Sequence, residues 1–591
     1  MKKVALGVLL AALPAVAGPR VDTRGYTPMP MEQVRGQIGP RAAEMLAAYR
    51  LWEAGYNEGR GRSDRKDSGS LGWNESGFLR NYVRAYAVSR DPYWLDKVVD
   101  HFDRMIANMT QGEDGFRRWT DTAYGVSPVA VTPESGTEGM SLEPPLQRPY
   151  VGRGGELVNG HRYRVALPDG KRVVITDLTE GRQVADLEYQ EGLVLTQIPG
   201  AKLTLTGPGR PGARFLVETT AARPIDYAVH DGMVTYPVAL WVETVLADAA
   251  LRARYGKKAE EYLALLDRHV REKWERCWVE LPNGAGAYTF SPDPTERFPG
   301  GLLPHNQYLA LARTWLVLQA IPGAPNRALY REKAEKMARN FRAALRLEGN
   351  AYVWNYWDPR PEDTNVRRHI EDTGHGSIDV GFAVEAQRRG IVFTDEDLKR
   401  FAATYVERMW NGSLQSPEIA RTVDGSIGGG RNFREWISLA AADRRVWDVG
   451  WGCYQRDGLS PDGAPEVLEV YDRVFGLTEA ERRQVNEAGK AAGEFTRKGW
   501  QSNLNFEQGV PGAAAPFGWT LTAWTPDGGS EWGWTGGGRN GSQCIFLRGK
   551  NPPVNVLAQP NGTLPLNAPG RVTLRAWYRT EGDAKPLFSL I

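Results

Sequence analysis

Between residues 70 and 450 the chain repeats one unit, and internal repetition on that scale constrains the fold more than any single motif does. Each unit holds an amphipathic helix, a short aromatic segment after Gly or Asn, a loop, and a second, more apolar helix. The amphipathic members are marked by Leu95, Val98, Phe102 and Met105, by Tyr262, Leu265, Leu266 and His269, by Ala334, Met337, Phe341 and Leu345, and by Leu398, Phe401, Tyr405 and Met409. Spacings of three and four residues give each of them one buried face, so they read as an outer layer. The partner helices, such as Tyr236–Val242 and Tyr308–Leu318, are apolar nearly all round and must be covered on most sides. They read as an inner ring, with Pro237 and Pro304 at helix starts, where a missing amide hydrogen costs nothing. Helical hairpins arranged in this way close into an (α/α) toroid, a mainly α fold.

Two segments break the rhythm. From 150 to 222 short runs alternate in the β manner, including Arg162–Leu167, Arg172–Thr176, Lys202–Leu205 and Arg214–Val217, between Gly and Pro turns. They predict a small β-domain inserted in a loop on the same rim as the aromatic segments. From 503 to 591 strand-like runs return, among them Phe517–Thr522, Arg571–Tyr578 and Pro586–Leu590. They resemble the opening strands of jelly-roll carbohydrate-binding modules. A jelly roll needs about eight strands, and fewer precede Ile591, so this reads as a partial, truncated β-sandwich. The toroid then occupies 18–149 and 223–495.

Residues 1–17 join Lys2 and Lys3 to an apolar run and an Ala15-Val16-Ala17 cleavage site, the pattern of an export signal. That run is too short to span a bilayer, which predicts a secreted or periplasmic protein with no membrane partner. Removing the two lysines takes the formal charge from +2 to 0, without the electrostatic footprint that nucleic acid requires. Cys277, Cys453 and Cys544 are scattered and offer neither a disulfide framework nor metal-ligand spacing. No cofactor or metal is predicted, a zinc site built from His230, His305 and His375 being a minor alternative. Tryptophan is abundant, with 20 copies beside 23 tyrosines, and such rings either fill cores or stack on sugars.

The repeat aligns His230-Asp231-Gly232, His305-Asn306-Gln307 and His375-Gly376-Ser377 at the mouths of successive inner helices, so three of the seven histidines occupy equivalent places. In a closed ring such places converge on the central cleft. Histidine is the side chain whose charge changes nearest neutral pH, although a histidine at a helix start also serves as a simple cap. Around the third motif, Glu371, Asp372 and Asp379 are at hand, and Asp379, four residues beyond His375, is expected to orient its ring, Asp372 being also a candidate cap. Glu75, Asp121, Asp226, Asp231 and Glu435 are further mouth carboxylates. Candidate sugar-binding residues are Trp73, Trp119, Tyr288, Trp354, Tyr356, Trp357 and Trp436, with Arg434, beside Phe433, as a bidentate carboxylate ligand.

Taken together, the hairpins, the His305-Asn306-Gln307-Tyr308 string, the aromatic loop strands and the strand-rich tail resemble the (α/α)-toroid polysaccharide lyases and uronyl epimerases, over roughly Gly72 to Trp451. The resemblance implies a polysaccharide substrate cleaved by β-elimination, with Asn306 neutralising the uronate carboxylate, His305 or His375 as base, and Tyr308 or Tyr236 as acid; His230 joins them as a third mouth histidine. Hydrolysis by paired carboxylates on the same ring, drawn from Glu75, Asp231, Glu371, Asp372 and Glu435, is the main alternative. A non-catalytic glycan-binding protein is the third.

Overall fold

The computed structural model describes residues 23–144, 150–153, 158–361, 363, 368–430, 434–498, 503–523, 531–548 and 556–560. The fold is mainly α, with several small antiparallel sheets. Chain contacts divide it into two units, one of Met1–Pro30, Arg60–Ala87 and Asp91–Val474 and one of Met31–Gly59, Val88–Arg90 and Phe475–Ile591.

In the first unit the repeat appears as the sequence orders it. The Tyr93–Ala107 helix leads to a hairpin of Thr110–Gln111 and Arg117–Arg118, and after the β-insert comes the Ala228–Ala247 helix. The Ala249–Leu266 helix, the Trp278–Leu281/Ala285–Tyr288 hairpin and the His305–Leu318 helix form the next repeat. The Arg327–Ala344 helix, the Arg346–Glu348/Ala351–Val353 hairpin and the Thr373–Arg388 helix follow. The three apolar helices lie side by side, 228–247 on 305–318 and 305–318 on 373–388, while the amphipathic helices cover them from outside. Every residue of His305–Leu318 is buried, as its all-round apolar surface requires. Pro237 departs from expectation, because the helix starts nine residues earlier at Ala228 and holds the proline in its interior. The polar start His230-Asp231 disguises that first turn in the sequence.

The β-insert begins at Val129 rather than at 150. Val129–Ser135 pairs with Ala213–Thr219 at the edge of a five-stranded sheet, and Ser141–Glu143 pairs with Leu203–Thr206 in a three-stranded one. Pro133 makes the first of these strands read as a loop, yet an edge strand tolerates proline because one side of it needs no donors. Val165, Leu167, Val173, Ile175, Leu203, Leu205, Phe215 and Val217 form the insert's core.

In the second unit the Met31–Gly55 and Glu479–Lys498 helices pack together, burying Ile38, Leu46 and Tyr49 from one and Val485, Ala492 and Phe495 from the other. Trp519–Ala523 pairs with Val556–Pro560, and Glu531–Gly536 with Gln543–Arg548. The strand-like runs 571–578 and 586–590 lie outside the described residues.

Candidate active site

The third helix mouth is built by a strand edge that delivers a cap. Asn355 bridges to Ile370, and Glu371 N donates to Trp354 O at 3.1 Å, so the segment enters the helix at a fixed angle. Asp372 is the N-cap, and its Oδ1 accepts from Gly374 N at 2.8 Å and from His375 N at 2.9 Å. Its other oxygen lies 2.5 Å from His375 Nδ1. Asp372 therefore orients His375, and Asp379 does not. A cap side chain folds back over the first turn, whereas Asp379 Oδ2 accepts from the indole of Trp354 at 2.9 Å. Burial raises Asp372, but hydrogen bonds from His375 and the helix amides outweigh it and hold the carboxyl below its ordinary range. The His375 side chain is 37% exposed, with the rings of Tyr356 and Trp73 at 5.2 and 6.2 Å.

The first mouth contributes a buried imidazole. Ser68 Oγ lies 2.9 Å from His230 Nδ1, while His230 Nε2 is buried with no partner among the described residues. Gly72 makes the close approach, since a Cβ there would lie 2.8 Å from His230 Cα. Tyr124, Tyr227 and Trp73 surround the ring at 4.7, 5.3 and 5.5 Å. Burial lowers its pKa to about 3, so the imidazole is neutral at neutral pH. Trp73, 38% exposed, donates its indole N–H to Tyr124 OH at 2.9 Å. Tyr150 OH meets Tyr227 OH at 2.9 Å, and the Arg297 guanidinium lies 4.8 Å from the Tyr150 ring centre.

The middle mouth is closed. His305 Nδ1 lies 2.7 Å from Tyr308 OH and Nε2 3.2 Å from Asp358, while Asn340 donates to Tyr308 OH at 3.1 Å. Both His305 nitrogens are engaged, and both His305 and Tyr308 are buried. In this geometry His305 and Tyr308 are less accessible to a substrate than His375 is. Asn306 is buried in the same turn, whereas Gln307 Nε2 reaches Tyr356 OH at 3.4 Å.

The carboxylates expected at the mouths are mostly elsewhere. Glu75 is fully buried against His101 Nδ1 at 2.5 Å, and Asp231 against Lys273 Nζ at 2.5 Å and Trp274 Nε1 at 2.7 Å. Asp226 joins the same lysine at 3.2 Å. Glu371 is fully buried as well. A deeper layer holds Glu435, 2.9 Å from Arg313 and also paired with Arg80, beside the Arg84–Glu466 pair at 2.7 Å. Tyr236 belongs there too, its ring 4.7 Å from the Arg313 guanidinium. Burial, first of all, pulls Arg80 down to about 9 and Arg313 to about 10. Asp121 remains at the first mouth, accepting from Gly69 N at 3.2 Å.

Most of the aromatic candidates prove to be core. Trp119 donates to Met105 O at 2.7 Å and Trp436 to Thr373 O at 3.0 Å, Tyr288 packs edge-on to Trp278, and Trp354 and Trp357 are buried. Their hairpins lie between helices, so these rings meet side chains rather than solvent. Trp73 is exposed, and Tyr356 is half-buried at the mouth. Arg434 is half-exposed, 3.5 Å from Asp462, and Phe433 lies outside the described residues.

Tyr124, Tyr150, Tyr227, Arg297 and Glu296 carry no signal in the sequence reading, and Gln307 appears there only as part of the His305 motif. Tyr227 is the extended N-cap residue just before the Ala228–Ala247 helix, and its ring lies 5.3 Å from that of His230. Glu296 sits in a Pro-rich loop with no periodic signal, and burial pushes it up to about 8. Glu371, Asp372 and His375 each place one oxygen or nitrogen within 4.8 Å of the others. Asp372 and His375 are joined by a hydrogen bond, with Glu371 as their buried neighbour.

No family model matches the chain, and no curated protein matches it. Among solved structures it aligns with FlgL of Xanthomonas campestris in two crystal forms, at 11% identity and a TM-score of 0.13, covering 40% of this chain and 93% or 94% of the other. The flagellar junction protein FlgL from Legionella pneumophila aligns at the same identity and TM-score, over 40% of this chain and 87% of its own. A TM-score of that size carries no argument about fold or function.

Proposed function

We propose that the chain is an exported polysaccharide-degrading enzyme, a lyase that cleaves a uronic-acid-containing glycan by β-elimination. The observation that carries this reading is the Asp372–His375 dyad, open between the rings of Trp73 and Tyr356. His375 takes the C5 proton, and Asp372 stabilises the imidazolium that forms. The electron pair moves into a C4–C5 double bond as the C4–O4 bond breaks. Burial, with the nearby Glu371 charge, holds Tyr356 protonated well above the usual range, so its hydroxyl is the donor to O4. Arg297, whose Nε has no partner among the described residues, and the Gln307 amide take the uronate carboxylate, and Trp73 stacks on a sugar ring. The neutral His230 borders the same space.

A toroid is supported by the convergence on one polar layer of Arg80, Tyr236, Arg313 and Glu466 from four helices, joined by Glu435. A carbohydrate-binding β-sandwich is supported by the two antiparallel strand pairs between Trp519 and Pro560.

Elimination is favoured over hydrolysis because Glu75, Asp231 and Glu371 are wholly buried, which leaves no open pair of carboxyls from that set to flank a glycosidic bond. The test is incubation with a panel of uronic-acid polysaccharides while the ultraviolet absorbance of the unsaturated uronate and the new reducing ends are followed together. Both rise under this proposal. New ends without absorbance mean hydrolysis and overturn it.

A further inference from the structure

In the polar layer beneath the mouths, cations outnumber the anions paired with them. Arg80 and Arg84 stand one turn apart on the Ser76–Ser89 helix, so their side chains share a face. Arg80 pairs with Glu435, Arg313 Nη1 reaches the same Glu435 Oε1 at 2.9 Å, and Arg84 lies 2.7 Å from Glu466 Oε1. Three guanidiniums therefore meet two carboxylates. Gly381 leaves room for Glu435 to serve two of them, since a Cβ there would collide with its carboxyl.

The charges around the layer are answered elsewhere. Glu385 accepts from Arg389 at 2.6 Å, and Arg434 lies 3.5 Å from Asp462. Asp379 accepts from the Trp354 indole. Within the layer, donors are left over: Arg80 Nε, Arg84 Nη1 and Arg313 Nε are buried and have no acceptor among the described residues. Arg313 is wholly enclosed, with Nη2 2.9 Å from Met233 Sδ and the Tyr236 ring over its guanidinium. The Arg80 and Arg84 side chains keep 11% and 15% of their surface, which leaves them within reach of a small ion. An unmatched charge in so dry a place is costly, and arginine does not shed its proton at neutral pH to escape the cost.

We propose that this layer binds one monovalent anion with the size and chemistry of chloride, held by the guanidiniums of Arg80 and Arg84 and balancing the charge they share with Arg313. Burial, then the neighbouring Arg84 charge, pulls Arg80 down to about 9, the direction expected where a counter-charge is missing. Depth separates the anion from the substrate. Tyr236 comes six residues after His230 and Arg313 eight after His305, so at the rise of an α-helix the layer lies about 9 to about 12 Å beneath the mouths. A uronate carboxylate bound at the dyad does not reach it. The anion is thus a free ion that completes the fold, and it is expected whether or not the chain is a lyase.

The test is thermal unfolding of the full chain in sodium gluconate, whose anion is bulky, replaced stepwise by sodium chloride at constant pH and ionic strength. The midpoint should rise by about 3 °C and then saturate, as linkage to a bound ligand requires. In Arg84→Gln, which brings the layer to two cations against two anions, the midpoint should not respond to chloride. A flat wild-type curve overturns the proposal, and so does an undiminished response in the variant. Should Arg84→Gln fail to fold, wild-type crystals soaked in bromide decide the matter. An anomalous peak against the Arg80 and Arg84 guanidiniums supports the site, and bromide found only elsewhere, or nowhere, overturns it.

Discussion

The His305 and His375 mouths start from the same sequence signature and end as opposites. Both histidines open an inner helix after an aromatic hairpin, and both have an acidic partner, Asp358 at 3.2 Å and Asp372 at 2.5 Å. His305 gives its second nitrogen to Tyr308, and the helix behind closes over it. His375 has a partner for one nitrogen, and its side chain is 37% exposed. Position in a repeat thus brings a residue to the right end of the helix, while the number of hydrogen bonds it can close there decides whether it is free for chemistry. The i+3 tyrosine is what differs, since Tyr308 follows His305 and Ile378 follows His375.

That contrast is open to attack by mutation. The largest effect should come from His375→Ala, with a loss of about 10²- to 10⁴-fold in kcat and little change in the unfolding midpoint, read from initial rates and a thermal melt. A loss below tenfold would break the comparison. His305→Ala should do the reverse, because it takes one hydrogen bond each from Tyr308 OH and Asp358 and leaves a cavity where a buried ring was. Denaturant unfolding should show about 2–4 kcal/mol of destabilisation, with kcat of the folded fraction nearly unchanged. Trp73→Ala should raise KM by about tenfold, as the loss of one stacking ring does, and leave stability within about 0.5 kcal/mol.

The smallest effect concerns pH. His230 is lowered from 6.5 to about 3 by burial, so it contributes stability that is present above pH 6.5 and is lost as pH falls toward 3. His230→Gln should flatten the acid side of a melting-temperature profile in that window. An unchanged profile would mean that the imidazole is solvated in the free protein.

How much of this the sequence shows depends on the kind of signal. Helix periodicity brings out the hairpin order, because a buried face must recur every three or four residues in Leu95–Met105 or Ala334–Phe341. It also aligns the three histidines. Burial of single polar residues stays hidden: nothing near Glu75 announces His101, and nothing near Asp231 announces Lys273, since both pairs join residues far apart in the chain. Aromatic segments mislead for a related reason. Trp354 and Tyr356 stand two residues apart, a spacing that would put both on one face of a strand, yet the strand ends at Val353 and one ring enters the core while the other borders the mouth. The Asp372 cap, by contrast, is a local feature, three residues from the histidine it orients.

The measurement that tests the account most directly is acylation by diethyl pyrocarbonate, with peptide mapping of each histidine and the elimination rate followed in the same samples. His375 should be modified early, His305 and His230 should be protected, and activity should fall in step with His375 and be spared by bound polysaccharide. Full activity with His375 completely acylated, or loss that follows His305 instead, would contradict it.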